Sequence, residues 1–169
     1  DLLVIAIGGP NACFLNDGKG GFSDFTEECG IRSETGAMSM ALADTDGDGD
    51  LDLYIVNNTK QTVKDLYPAA LRSFERKVKR VGDRFEIIPK FKEHYFLELQ
   101  NNSILNRYEM AEADLYLLND GSGQFSKAPS TSSTFRDESG KPVPELKEWG
   151  LSVRFQDVDN DGDPDLYVC

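Results

Sequence analysis

Asp44-Thr45-Asp46-Gly47-Asp48-Gly49-Asp50-Leu51-Asp52 is the stretch that decides how this chain is read. A second copy runs Asp157-Val158-Asp159-Asn160-Asp161-Gly162-Asp163-Pro164-Asp165. Carboxylates at the first, third, fifth and ninth positions of a tight turn repel one another unless a cation sits between them. Oxygen donors at this spacing suit a hard cation, Ca²⁺ first. Glycine at position six permits the sharp bend, and the carbonyl of position seven can join the shell. An EF-hand would need Glu at position twelve and flanking helices. Position twelve is Ile55 in one copy and Val168 in the other. Each loop runs instead into an apolar stretch, Leu53-Tyr54-Ile55-Val56 or Leu166-Tyr167-Val168, which reads as a buried strand. The competing reading is a metal-free acidic turn, which the crowding of like charge disfavours.

Working outward, each loop belongs to a longer repeat. The opening Asp1-Leu2-Leu3-Val4-Ile5 matches Asp52-Leu53-Tyr54-Ile55-Val56, which makes Asp1 equivalent to the ninth loop position. Asn16-Asp17-Gly18-Lys19-Gly20-Gly21-Phe22 recurs as Asn119-Asp120-Gly121-Ser122-Gly123-Gln124-Phe125. An apolar strand, an Asn-Asp-Gly turn and a Phe-bearing strand predict a hairpin, with Phe22 and Phe125 in the core. Met38 to Leu42 alternates as a half-buried strand entering the first loop, and Leu151 to Phe155 is its counterpart. Four short strands in a repeat of roughly 50 residues predict β-propeller blades and an all-β fold. The chain is expected to be a fragment (1–169) of one propeller domain, cut within strands at both ends, with the remaining blades elsewhere in the parent chain.

The two copies are separated by an insertion at 59–113 that holds eleven of the 18 basic residues. Val63, Leu66, Leu71, Phe74 and Val78 fall near helical spacing, although Pro68 would bend or start such a helix. Alternation from Phe74 to Arg80 and a turn at Val81-Gly82-Asp83-Arg84 support a hairpin with Phe85 to Ile88. A short helix followed by a hairpin is the expected arrangement, with a further strand at Tyr95 to Leu99. A smaller insertion precedes Trp149, with a turn at Asp137 to Gly140 and two stiffening prolines, Pro142 and Pro144. Trp149 is expected in the core or between blades, with ligand stacking as the lesser reading.

Formal net charge is −12, and ten of the 30 acidic residues lie in the two loops, so the acidity belongs largely to the metal sites. No basic stripe interleaved with aromatics suggests nucleic-acid binding. No apolar run is long enough to span a membrane. Cys13 and Cys29 flank one hairpin and either pair or remain buried thiols. Three cysteines without a C-x-x-C give no zinc or redox motif.

The Asn-Asp-Gly-x-Gly-x-Phe turns at 16–22 and 119–125 and the loops at 44–52 and 157–165 resemble FG-GAP/VCBS repeats. Trp149 to Val153, Asp165 to Cys169 and the approach Glu112-Ala113-Asp114-Leu115-Tyr116 resemble the propeller region of ASPIC/UnbV-type proteins, the cartilage acidic protein-like group. That resemblance implies an integrin-alpha-like propeller of about seven blades in a secreted, periplasmic or surface protein whose parent bears a signal peptide. It implies two Ca²⁺ sites, with ligands at Asp44, Asp46, Asp48, Asp50 and Asp52 and at Asp157, Asp159, Asp161, Asp163 and Asp165. Asp50 and Asp163 would serve through their backbone carbonyls. It implies no catalytic residues.

The function expected is a non-enzymatic, calcium-binding module for adhesion or scaffolding, with a protein or polysaccharide ligand. The alternative is part of a propeller enzyme such as a polysaccharide lyase. One histidine, His94, and no G-x-S-x-G leave a nucleophilic triad without support. The basic insertion reads either as a solvated face or as a dock for an acidic polymer or partner protein.

Overall fold

The computed structural model describes residues 1–101, 103–128, 135–136, 139–142 and 149–169, with backbone alone at Leu105. Asp137, Glu138 and Pro144 of the smaller insertion lie outside the described residues. Two compact units are present, Asp1–Lys60 with Glu112–Cys169, and Gln61–Ala111. Among the described residues no helix is long and apolar enough to cross a membrane.

In chain order the first unit opens with β1 (Leu2–Val4), β2 (Ala12–Asn16), β3 (Phe22–Asp24), the single helical turn α1 (Thr26–Cys29), β4 (Ala37–Ala43) and β5 (Asp52–Asn57). The second unit holds the helical turn α2 (Val63–Leu66), β6 (Val78–Val81), β7 (Arg84–Ile87), β8 (Tyr95–Gln100) and β9 (Ser103–Glu109). The first unit resumes with β10 (Leu115–Asn119), β11 (Phe125–Lys127), β12 (Val153–Gln156) and β13 (Asp165–Val168). The protein is mostly β, arranged in several small sheets.

The central sheet of the first unit has the order β11-β10-β5-β4, with every neighbour antiparallel. β5 is the strand that leaves the first Asp-rich loop, and it is paired on both edges. Its alternate side chains enter two different cores. Leu53 and Ile55 pack with Cys13, Cys29, Ile31, Ala37 and Leu117. Tyr54 and Val56 pack with Val153, against Tyr116, Phe135 and Phe155. A strand buried on both faces and both edges accounts for the unbroken apolar run Leu53 to Val56.

The same elements recur partially on either side. β1-β2-β3 repeats β5-β10-β11, and β12-β13 repeats β4-β5. Burial does not recur with them. Tyr54 is 1% exposed, whereas Tyr167, at the same place in the repeat, is 59% exposed. Among the described residues the expectation of a buried strand after each loop therefore holds for β5 and not for β13, which pairs there with β12 alone. Phe125 packs against the first core as expected, but Phe22 is 53% exposed on an edge strand. Trp149 is likewise 43% exposed, which excludes the core placement from the two expected, core or between blades.

Cys13 and Cys29 are free thiols buried in one core. Burial, with the neighbouring Cys13 thiol, pushes the Cys29 thiol up to about 12. Cys169 is free and exposed.

In the second unit the helical spacing yields 3-10 turns at Ala69–Leu71 and Phe74–Arg76 and one α-helical turn, Val63–Leu66, capped by reciprocal bonds between Thr62 and Asp65. Chain extension at Tyr67 ahead of Pro68 ends it. The β6–β7 hairpin turns at Gly82, whose φ of 61° is left-handed and favours glycine or asparagine. β8 and β9 form a second hairpin. Val63, Val78, Ile87, Phe91 and Tyr95 make this unit's own core. His94 sits in the turn before β8, with Nε2 3.4 Å from the Tyr67 hydroxyl.

Candidate metal centre

Each Asp-rich loop joins two antiparallel neighbours, β4 to β5 in one case and β12 to β13 in the other. The two loops take the same backbone path. Position four has positive φ in both, 77° at Gly47 and 62° at Asn160. Position six does too, 96° at Gly49 and 100° at Gly162. Glycine or asparagine at these places follows from that geometry, since other side chains meet steric strain there.

Their hydrogen bonds correspond almost one for one. The first-position carboxylate accepts from the amide at position six: Gly49 N to Asp44 Oδ2 at 3.0 Å, and Gly162 N to Asp157 Oδ2 at 3.1 Å. The third accepts from the fifth, at 3.3 Å for Asp48 N to Asp46 and 3.2 Å for Asp161 N to Asp159. The fifth accepts from the seventh, at 3.0 Å for Asp50 N to Asp48 and 2.9 Å for Asp163 N to Asp161. The ninth reaches back to the amide of the second, at 3.1 Å for Thr45 N to Asp52 and 2.9 Å for Val158 N to Asp165. These bonds turn the carboxylates toward the inside of each loop.

The result is two groups of three converging carboxylates. Asp44, Asp46 and Asp48 bring oxygens within 4.8 Å of one another, and so do Asp157, Asp159 and Asp165. Each group is able to hold a metal ion. Asp50, Asp52, Asp161 and Asp163 stand in the same loops but outside these closest groups. Burial, then the like charge of Asp48, raises the Asp46 carboxyl above its ordinary range.

The loops differ in which carboxylates converge, positions one, three and five in the first and one, three and nine in the second, and in how the first-position Asp is bonded. In the first, Gly47 N donates to Asp44 Oδ1 at 2.8 Å, so both oxygens of Asp44 are engaged. In the second, Asp157 Oδ1 is buried and has no hydrogen-bond partner among the described residues. A carboxylate oxygen removed from water and left without a donor is costly, and a cation at the centre of Asp157, Asp159 and Asp165 would satisfy it. The donor set, all oxygen and all anionic, fits a hard divalent cation rather than zinc or copper.

Sequence reasoning missed what the ninth position does beyond its loop. Asp52 Oδ1 accepts from Asn119 N at 3.0 Å, tying the loop to the turn of the β10–β11 hairpin. Asp1 Oδ1 accepts from Asn16 N at the same 3.0 Å, tying β1 to the β2–β3 hairpin. The ninth Asp and the hairpin Asn thus form a recurring pair, visible in the sequence as Asp1 with Asn16 and Asp52 with Asn119. Also missed was Asp114, whose carboxylate accepts from Tyr54 Oη at 2.9 Å and Asn57 N at 2.8 Å. Burial raises its pKa despite these donors.

The hairpin turns are themselves equivalent. Asp17 Oδ1 accepts from Lys19 N and Gly21 N at 2.8 and 2.9 Å, and Asp120 Oδ1 from Ser122 N and Gln124 N at 2.9 and 3.3 Å. Backbone donation by Lys19 lowers the Asp17 carboxyl below 3.8, and the Ser122 hydroxyl does the same for Asp120. A depressed folded-state pKa gives stability that is present above about 3.8 and lost as pH falls through the folded value. NMR titration of the two carboxyl carbons should therefore give midpoints below 3.8; midpoints at or above it would contradict the hydrogen bonding described.

Residues 1–55 match the family model described as FG-GAP-like repeat. The matched stretch contains one Asn-Asp-Gly hairpin and one Asp-rich loop, and the same elements recur between Leu115 and Val168. No curated protein matches the chain significantly.

Proposed function

We propose that the chain is part of a calcium-stabilised β-propeller that acts outside the cytosol as a non-enzymatic binding or scaffolding module. The observation that carries this reading is the correspondence of the two loops, alike in φ pattern and hydrogen bonding, each with three converging carboxylates. The four-stranded antiparallel sheet β11-β10-β5-β4 has the strand count of a propeller blade, and partial copies on either side suit neighbouring blades. Calcium would be held by Asp44, Asp46, Asp48 and Asp52 with the Asp50 carbonyl, and by Asp157, Asp159, Asp161 and Asp165 with the Asp163 carbonyl. The ion neutralises the crowded carboxylates and fixes the turn between two strands. Sites of this kind in extracellular modules work at about 10⁻⁴–10⁻³ M, which matches calcium outside cells. The ASPIC/UnbV resemblance of the residues around Trp149 and Asp165 fits the same setting and adds no chemistry.

Equilibrium dialysis of single variants tests this. The wild-type chain should bind two calcium ions, and Asp44→Ala or Asp157→Ala should each bind one. Because the loops share no ligand, the stability losses should add within about 0.5 kcal/mol. Loss of both ions in either single variant would point to one shared site and overturn the assignment.

A further inference from the structure

The second unit, 61–111, holds one buried and two half-buried cations that the calcium reading does not use. Lys77 is 3% exposed, and its Nζ donates to Tyr95 Oη at 2.8 Å. The Arg107 guanidinium carbon stands 5.2 Å from the centre of the Tyr95 ring and 5.7 Å from that of Phe74. Arg72 lies close enough to act electrostatically on both Lys77 and Tyr95. Glu109, whose carboxylate accepts from the Val63 amide, is the acid that faces this group. Lys77 and Arg107 therefore share the Tyr95 ring, and neither they nor Arg72 forms an ion pair with a described residue.

Two donors here lack acceptors. The Nε–H groups of Arg72 and Arg107 are buried without a hydrogen-bond partner among the described residues. Buried donors on charged groups are among the costliest to leave unpaired. Burial, then Arg107, depresses the Lys77 pKa, as expected where positive charge is in excess. Arg72 and Arg107 are only half-buried, so solvent reaches their side chains, while Lys77 and Tyr95 are buried beside Arg107. A guanidinium offers Nε–H and Nη–H side by side, the geometry that matches two oxygens of one oxyanion.

We propose that Arg72, Lys77 and Arg107 form an oxyanion-binding site in the 61–111 unit, suited to a carboxylate or sulfate group. The site lies outside both Asp-rich loops and does not depend on calcium. Its ligand supplies acceptors to the two orphaned Nε–H groups and charge to offset the excess of cations.

The test uses the full chain labelled with ¹⁵N, titrated with sodium sulfate and, separately, sodium acetate, each against sodium chloride at matched ionic strength. Saturable shifts of the Arg72 and Arg107 Nε–H resonances are expected with at least one oxyanion and not with chloride. Sulfate alone or acetate alone identifies which group the site prefers. Arg72→Gln and Arg107→Gln should each weaken binding by roughly tenfold, as expected for removing one charge-assisted donor. Either variant suffices if the other fails to fold, and a calcium titration of the same sample reports separately on the loops. Linear, non-saturating shifts equal in all three salts would overturn the proposal. Unchanged affinity in a folded Arg variant would overturn it equally.

Discussion

Tyr54→Ala should destabilise the chain by about 3–5 kcal/mol, whereas Tyr167→Ala should fall within about 0.5 kcal/mol of wild type. The two tyrosines occupy the same place in the repeat, two residues after the ninth Asp. Tyr54 is fully enclosed, with Tyr116 and Phe135 at ring-centre distances of 6.3 and 6.1 Å. Its hydroxyl also donates to Asp114, so truncation removes a donor from a partly buried carboxylate as well as opening a cavity. Tyr167 has neither surrounding. Tyr54→Phe separates the contributions, because it keeps the ring and removes only the hydrogen bond. Chemical denaturation with unchanged m-values reads these differences directly. Equal losses at the two tyrosines would contradict the account of β5 as the strand enclosed on both faces.

The second large effect is that of the metal. For a loop with Kd near 10⁻⁴ M, 10 mM calcium is about 100 Kd and contributes about 2.7 kcal/mol by mass action on the folded state. Two such loops should raise the melting midpoint by roughly 10–20 °C in a domain of this size. Magnesium at the same concentration should have little effect, since it demands short octahedral bonds and parts reluctantly with water. On the proposed reading the ion would relieve repulsion among carboxylates, so the calcium effect should shrink in Asp44→Ala and in Asp157→Ala. Equal stabilisation by both cations would indicate general screening of acidic charge rather than a fitted site.

The loops and hairpins were legible because their backbones dictate residue types. Positive φ at positions four and six requires Gly47, Gly49 and Gly162 or tolerates Asn160, and the Asn-Asp-Gly turns carry similar marks at Gly18 and Gly121. These signals are local, so a single sequence suffices. The β6–β7 hairpin was visible for the same reason, through Gly82.

Burial was not legible, because it depends on which neighbours a strand acquires. Asp-Leu-Tyr reads identically at 52–54 and 165–167, yet only the first copy gains partners on both edges. Phe22 and Phe125 diverge in the same way. Charge misleads in the opposite direction: a run of Lys and Arg reads as a solvated surface, while Lys77 is buried against Tyr95. The pairing of ninth-position Asp with hairpin Asn escaped notice because its members lie far apart in the chain, 67 positions for Asp52 and Asn119.

The most direct measurement is a crystal structure of the chain grown in calcium, with anomalous scattering used to locate the ion. The account predicts two peaks, one inside 44–52 and one inside 157–165, each ringed by Asp oxygens at about 2.3–2.6 Å. Asp157 Oδ1 should be among the ligands of the second. Density at neither loop in saturating calcium, or an ion held elsewhere with Asp157 Oδ1 still unpartnered, would contradict it.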